Sequence, residues 1–427
     1  MKILLSGAEI CDGKTIERKD ILITDGIVSD VSLSTAKTED TVVFDCQGLT
    51  IFPGFTDVHV HLREPGFSYK ETIETGTTAA AAGGYTAVCS MPNLKPVPSD
   101  AESLKVQLDL IEKNAKIKVI PYGSITVNQE GEMLSDMDKM ADRVAGFSDD
   151  GRGVQNDEMM KSAMLKAKSL NKMIVAHCEV NDLLKGGYIH KGEYAKMHGH
   201  RGICSESEWK QIARDIELVK ETGCSYHVCH ISTKESVDII RKAKADGVDI
   251  TCETGPHYLI LDDSCLQEDA RFKMNPPLRD KSDKEALVAG MLDGTIDMIA
   301  TDHAPHSAEE KGKGLEKSAM GVVGLETAFP EMYTNFVKKG ILSLEKLVEI
   351  MHTNPNSRFG IDTGFEIGKK ANLTVFDLNE NYTVNPEDFK TMGRSTPFAG
   401  DLVYGKCLLT IADGNIAFCD ERLREKL

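Results

Sequence analysis

The sequence predicts an α/β fold, a (β/α)8 TIM barrel with a small β-sandwich domain formed by both termini, and three observations lead there. Eight short apolar segments alternate with helical stretches in the middle of the chain, both ends read as hairpins, and polar residues follow directly on most of the central segments.

Taken in order, residues 2–5, 20–24, 27–31 and 41–45 read as strands, with Asp25-Gly26 as a hairpin turn between alternating segments. The last sixty or so residues show the same pattern, with strands at 371–377 and at 402–411, the latter joined to 416–420 through Asp413-Gly414. Between them the expected barrel strands are 54–60, 85–90, 117–124, 144–147, 173–176, 225–230, 249–253 and 298–301. Capped, periodic stretches at 100–114, 156–170, 205–222 and 233–246 supply helices between them. The expected organisation is residues 1–52 and 365–427 as two parts of one β domain, with 53–364 as the barrel.

A chain of 427 residues suits one barrel plus a satellite domain. With 41% hydrophobic and 27% charged residues, no run of 18 apolar residues and no basic-then-apolar leader, it reads as a soluble, non-exported protein. A net charge of -17 argues against nucleic acid or an anionic membrane as partner, so a small anionic substrate needs a local cation. Eleven cysteines without CxxC pairing read as reduced, buried residues of a cytoplasmic protein.

In a barrel, catalytic groups sit where strands end. His59 and His61 close the first strand, two apart and so on one face. Asp149-Asp150 follows strand four, His177 strand five and Asp302 strand eight, while His230 ends strand six. Imidazole with carboxylate and no thiolate suits zinc, with cobalt or manganese as substitutes. Six donors exceed the needs of one tetrahedral ion, so two ions sharing a bridging carboxylate is the economical reading. Each residue taken singly could be a satisfied core histidine or a helix cap; six at one rim argue otherwise.

The string PGFTDVHVHLREP, residues 53–65, resembles the amidohydrolase superfamily, and its Arg63-Glu64-Pro65 ending the dihydroorotase and allantoinase branch. SMPNLKPV, FSDDG, VAHCE, HVCHIS, KMNPPLR and ATDHAPH resemble the bacterial type I dihydroorotases, in order over essentially the whole chain. The resemblance implies two zinc ions per subunit: His59, His61 and Asp302 on one, His177 and His230 on the other, with Asp150 bridging. Strand alternation says only that one of Asp149 and Asp150 points inward, with Asp149 as the matched control for mutation. Hydantoinases, allantoinases and type II dihydroorotases bridge their metals with a carboxylated lysine, and residues 144–151, VAGFSDDG, contain none.

The implied reaction interconverts N-carbamoyl-L-aspartate and dihydroorotate in pyrimidine biosynthesis, through a metal-bridging hydroxide, with Asp302 as general acid and base. Arg63, at the strand parity of His59 and His61, is expected to hold the substrate α-carboxylate in a bidentate pair; a salt bridge with Glu64 or a helix-end carboxylate is its alternative role. By resemblance Asn93 and His306 complete that clamp, Asn275 contacts the ring, His61 also lies against the substrate, and the backbone at Met320 and Gly321 touches it. Residues 307–324 read as a mobile loop over the mouth whose lysines are solvated. At 253–258, ETGPHY, this chain has Gly255 where the family usually has Ser or Thr, and Tyr258 where a second His is common. The resemblance further suggests a homodimer and association with aspartate carbamoyltransferase. The rivals are another cyclic amidohydrolase, argued against by the missing lysine, and a non-catalytic scaffold, argued against by the full donor set.

Overall fold

The computed structural model describes residues 1–36 and 38–424; residues 425–427, inside the expected C-terminal part of the β domain, lie outside the described residues. The fold is α/β.

Both termini contribute to one eight-stranded sheet. Its strands are β1 (Lys2–Cys11), β2 (Ile16–Thr24), β3 (Ile27–Ser32), β4 (Thr41–Asp45) and β5 (Thr50–Pro53) from the N-terminal end. The central strands are β6 (Phe55–Val60), β7 (Tyr85–Ser90), β8 (Lys118–Pro121), β9 (Ile174–Ala176), β10 (Ile189–His190), β11 (Gly202–Ile203), β12 (Tyr226–Val228), β13 (Ile250–Thr254) and β14 (Met298–Ile299). The C-terminal end adds β15 (Leu373–Thr383), β16 (Leu402–Ala412) and β17 (Asn415–Cys419). The terminal sheet runs β17-β16-β15-β5-β1-β2-β3, with β4 also on β1. β1 serves β4 over Lys2–Ser6 and β5 from Glu9 onward, because it is bulged between Leu5 and Ala8. Gly7 takes the positive φ of 77° that the bulge needs. Its N–H donates to the buried Asp20 carboxylate at 2.7 Å, so the irregular residue leaves no unpaired donor.

The central strands pair in parallel in two runs, β6-β7-β8 and β9-β12-β13-β14, with β9 beside β12, and β10 and β11 form a separate parallel pair. Parallel single-residue bridges join Gly123 to Phe147, Phe147 to Ile174 and Val60 to His303. Side chains alternate along these strands as a pleat demands. Ala87, Cys89, Val175, Met298 and Ala300 meet in one cluster with Val58 and Tyr122. Their neighbours Val88, Ile174, Ala176 and Ile299 join a larger core with helix residues such as Leu104, Met160, Ile212 and Ile240.

The expected fourth strand, 144–147, is reduced to the two bridges of Phe147. The preceding residues Ala141–Arg143 wind as a 3-10 turn, and Gly146, whose added Cβ would stand 3.0 Å from Met173 O, lets that backbone come too close for a regular ladder. Strands three and six are shorter than expected. Pro121 brings no N–H to a ladder, and His230 turns out of the strand at a φ of 28°. The four expected helices form, three of them behind side-chain caps: Ala101–Asn114 behind Asp100, Asp157–Ser169 behind Asn156 and Lys234–Ala245 behind Thr233, whereas Glu206–Thr222 follows Ser205 without a capping bond from its side chain. Two further helices of ten residues or more, Ile73–Ala82 and Lys281–Asp293, also form among the described residues, beside several shorter ones. Among the described residues no disulfide forms, all cysteines except Cys204 and Cys265 are buried, and no helix is long and apolar enough to cross a membrane.

Candidate metal centre

The segments that follow the central strands meet around a cleft of about 250 Å³, lined by His61, Arg63, Asn93, Asp150, Gly151, His177, His230, Asn275, Asp302, Ala304, His306, Met320 and Gly321. Every sequence-predicted site residue is there except His59, which lies fully buried beneath it. Two roomier hollows lie elsewhere, one beside Glu326 and Arg422 and one beside Gly192 and Asp263, and neither holds any of these side chains.

His59 Nε2 stands 3.4 Å from both Asp150 Oδ1 and Asp302 Oδ1. His61 Nε2 is 3.1 Å from Asp302 Oδ1 and 3.5 Å from Asp150 Oδ2. On the other side His177 Nδ1 and His230 Nε2 face each other at 3.0 Å, each 3.7 Å from Asp150 Oδ1. Among the described residues, Asp150 is therefore the one carboxylate within 4 Å of all four imidazoles. The ligand atoms of His59, His61 and Asp302 lie within 4.8 Å of one another, as do those of His59, Asp150 and His230.

Nitrogen and carboxylate donors of this kind fit zinc or a similar divalent ion. His59 Nε2 and Asp150 Oδ1 are buried without a hydrogen-bond partner, a costly state that a shared cation would relieve. Burial alone would raise the pKa of Asp150 and Asp302, but the imidazoles, His59 foremost, outweigh it and hold both below the ordinary carboxylate range. Both thus present the anionic form that ligates metal.

A carboxylate that sequence reasoning missed stands behind this set. Glu253, at the end of β13 and fully buried, accepts from His59 Nδ1 at 2.7 Å and His227 Nε2 at 3.0 Å. Burial opposes its charge, yet His59 and His227 draw it down to about 2. With Nδ1 committed to Glu253, His59 turns Nε2 toward the cleft. Its signal in the sequence was position alone, an acidic residue closing an apolar strand. Glu179 does similar work for His177, 3.5 Å from its Nε2.

Three non-glycine site residues adopt left-handed backbone: Arg63 at a φ of 61°, His230 at 28° and Asp302 at 46°. Such strain concentrates where side-chain direction matters more than local comfort. It also corrects the parity argument for Arg63. β6 ends at Val60, and Arg63 reaches the cleft through this turn. Its guanidinium makes no ion pair with Glu64 among the described residues; Nε donates to Pro305 O at 3.1 Å, and Nη2 lies 3.4 Å from His306 Nε2. Burial first, then Arg63 and Lys70, push the His306 pKa down to about 3, so the ring is neutral. Its Nε2 lies 2.8 Å from Met320 O, an acceptor only, which assigns the ring proton to Nε2.

Asn93 Nδ2 donates one hydrogen to Asp150 O at 2.6 Å, keeping its second for a ligand, and Asn275 Nδ2 donates to Glu179 Oε1 at 3.0 Å. The two departures at 253–258 have local reasons. A Cβ on Gly255 would stand 2.5 Å from the His257 ring, and the buried Tyr258 hydroxyl donates to Pro276 O at 2.6 Å, bracing the residue after Asn275.

Asp149 points away from the cleft and accepts from Ile125 N at 2.8 Å, Thr126 N at 3.1 Å and the Thr126 hydroxyl. It is no neutral control: Asp149→Asn leaves one of these buried donors unpaired and is expected to cost about 1–3 kcal/mol of stability. Metal content and activity of the folded protein should stay near wild type, which denaturant unfolding read beside metal analysis would check.

Residues 48–236 match a family model described as dihydro-orotase-like. The chain is 47% identical over 421 residues to a dihydroorotase of Fusobacterium nucleatum, covering 98% of this chain and 99% of that one. It is 46% identical over 419 residues to a dihydroorotase of Bacillus cytotoxicus, covering 97% and 98%. Among solved structures, the L-hydantoinase (dihydropyrimidinase) from Arthrobacter aurescens superposes with a TM-score of 0.87 at 27% identity, over 97% of this chain and 95% of that one. A D-hydantoinase from Thermus sp. shares the fold, with a TM-score of 0.85 at 24% identity over 98% and 95%.

Proposed function

The chain belongs to the dihydroorotase family, and from that premise we propose that it reversibly cyclises N-carbamoyl-L-aspartate to (S)-dihydroorotate and water, with two zinc ions in the cleft. The observation that carries this is the convergence of four imidazoles, those of His61, His177 and His230 in the cleft and that of His59 directly beneath it, with two carboxylates beside the guanidinium of Arg63. Residues 53–364 are proposed as a closed eight-strand barrel, supported by the bridges from Gly123 through Phe147 to Ile174 and from Val60 to His303, with 1–52 and 365–427 as a β-sandwich beside it.

In this reading His59, His61 and Asp302 would hold one zinc and His177 and His230 the other, with Asp150 placed between the two sets of imidazoles. Bound there, the metals would lower the pKa of water toward neutrality and polarise the ring carbonyl. The chain's own residues do the rest. Arg63 and Asn93 donate to the α-carboxylate, His306 joins them by turning its one ring proton, on Nε2, from Met320 O to the ligand, Asn275 meets the ring, and the backbone of Met320 and Gly321 forms the facing wall. The hydrogen bond and close ion pairs of Asp302 run through Oδ1, which leaves Oδ2 to take a proton from the attacking water and pass it to the departing ring nitrogen. In the synthetic direction Asp302 reverses these transfers.

The test is an assay of the purified zinc-loaded protein on dihydroorotate, allantoin and dihydrouracil. Turnover of dihydroorotate is expected, and activity on the other two alone overturns the reading. Arg63→Met should raise the KM for dihydroorotate by roughly ten- to a hundredfold, the worth of one charged hydrogen-bonded contact, while two zinc ions per chain remain. Loss of zinc in that variant would instead move Arg63 out of the substrate site. A cytoplasmic location is proposed from the cysteines, mostly buried and forming no disulfide among the described residues; a homodimer and docking on aspartate carbamoyltransferase rest on family resemblance, and sedimentation with and without that enzyme tests both.

A further inference from the structure

The loop after Asp302 was expected to carry solvated lysines. Lys313 is one, its side chain 48% exposed. Lys311 is not. It ends the short helix Ala308–Lys311 and turns its ammonium under the loop, where it donates to Gly321 O at 2.7 Å, Ala319 O at 3.0 Å and Lys273 O at 3.2 Å. Among the described residues it makes no ion pair, so three carbonyls do the work of a counter-charge. An ammonium has three N–H donors, and all three are spent.

The places they are spent are specific. Ala319 and Gly321 flank Met320, whose own carbonyl faces His306 Nε2 at 2.8 Å, so three successive carbonyls of the cleft wall are each held by a side chain. Lys273 stands two residues before Asn275, and its carbonyl also accepts from Gly321 N at 3.0 Å. Gly321 has a φ of 136°, and an added Cβ would lie 2.7 Å from Ala304 O, so this wall passes too close to the Asp302 loop for any side chain. A backbone so exposed in conformation needs an external clamp.

We propose that Lys311 is a positioning residue for the substrate, pinning the wall 319–321 to the segment that carries Asn275 so that both faces of the cleft meet the ring at fixed spacing. This rests on the reading of the cleft as the dihydroorotate site. Lys311 itself lines no part of the cleft and touches none of the six proposed metal ligands.

The experiment compares K311M, K311R and K313M with wild type as zinc-loaded enzymes. K311M is expected to raise the KM for dihydroorotate about tenfold with kcat within about threefold of wild type, because the lost interaction shapes substrate binding. Zinc per chain should stay at the wild-type value. K311R, which keeps charge and donors, should recover most of the KM, and K313M, the same change of charge two residues away, should behave as wild type. Should K311M fail to fold, K311Q carries the comparison, with the same rise in KM expected. A wild-type KM in the methionine or glutamine variant, or equal losses of kcat and zinc with no rescue by arginine, overturns the proposal. Wild-type enzyme inactive on dihydroorotate would overturn the function and this inference together, whereas active wild type with an unmoved KM at position 311 overturns this inference alone.

Discussion

Asp302→Asn is expected to lower kcat for dihydroorotate by about a thousandfold, some 4 kcal/mol of transition-state stabilisation, with little change in KM. The magnitude follows from what the substitution removes. An amide oxygen can still face His61 Nε2, which lies 3.1 Å from Oδ1 in the wild type, but an amide cannot carry a proton from water to the ring nitrogen. The backbone tolerates the change, since Asp302 sits at a φ of 46° and asparagine is among the few residues at ease there. Reduced rates are expected in both directions, because the same group serves the forward and reverse proton transfers. Metal analysis of the variant separates loss of the proton carrier from loss of a ligand, and near-wild-type turnover would remove Asp302 from this role.

How much of this was legible in the sequence depends on how local each cause is. His59 and His61 were legible because a spacing of two on extended backbone is a local geometric fact, His61 lying one residue past β6 with its N–H still bonded to His303 O, and Asp302 and His177 because they directly follow apolar strands. Arg63 reached the cleft for a different reason from the one the sequence suggested. Strand parity ended at Val60, and a left-handed turn, which no pattern of apolar residues announces, aimed its side chain. Glu253 was visible as a residue and invisible as a partner of His59, since 194 positions separate them. Lys311 misled for a related cause: a lysine among glycines reads as solvated, and its three carbonyl partners come together only when the loop folds back on Lys273. The choice between Asp149 and Asp150 needed the structure too. Alternation guarantees that the two diverge, and the amides at 125 and 126 that donate to Asp149 lie on another segment.

Asp150→Ala is the second large effect, expected to cut dihydroorotate turnover at least about a thousandfold while lowering the metal bound per chain. Asp150 Oδ1 stands 3.4 Å from His59 Nε2 and 3.7 Å from both His177 Nδ1 and His230 Nε2, and Oδ2 stands 3.5 Å from His61 Nε2, so it spans both groups of donors, as no other carboxylate among the described residues does. Without it the facing nitrogens of His177 and His230, 3.0 Å apart, have no anion between them and His59. A pair of neutral imidazoles alone binds a divalent ion weakly, so that half of the site should empty first. Stripping wild type with a chelator should produce the same inactive state and lower the Tm, because a ligand bound only to the folded chain stabilises it by RT ln(1 + [L]/Kd). Returning zinc should restore activity to stripped wild type and to Asp149→Asn but not to Asp150→Ala. Two bound metals with full turnover in Asp150→Ala would show that the bridge lies elsewhere.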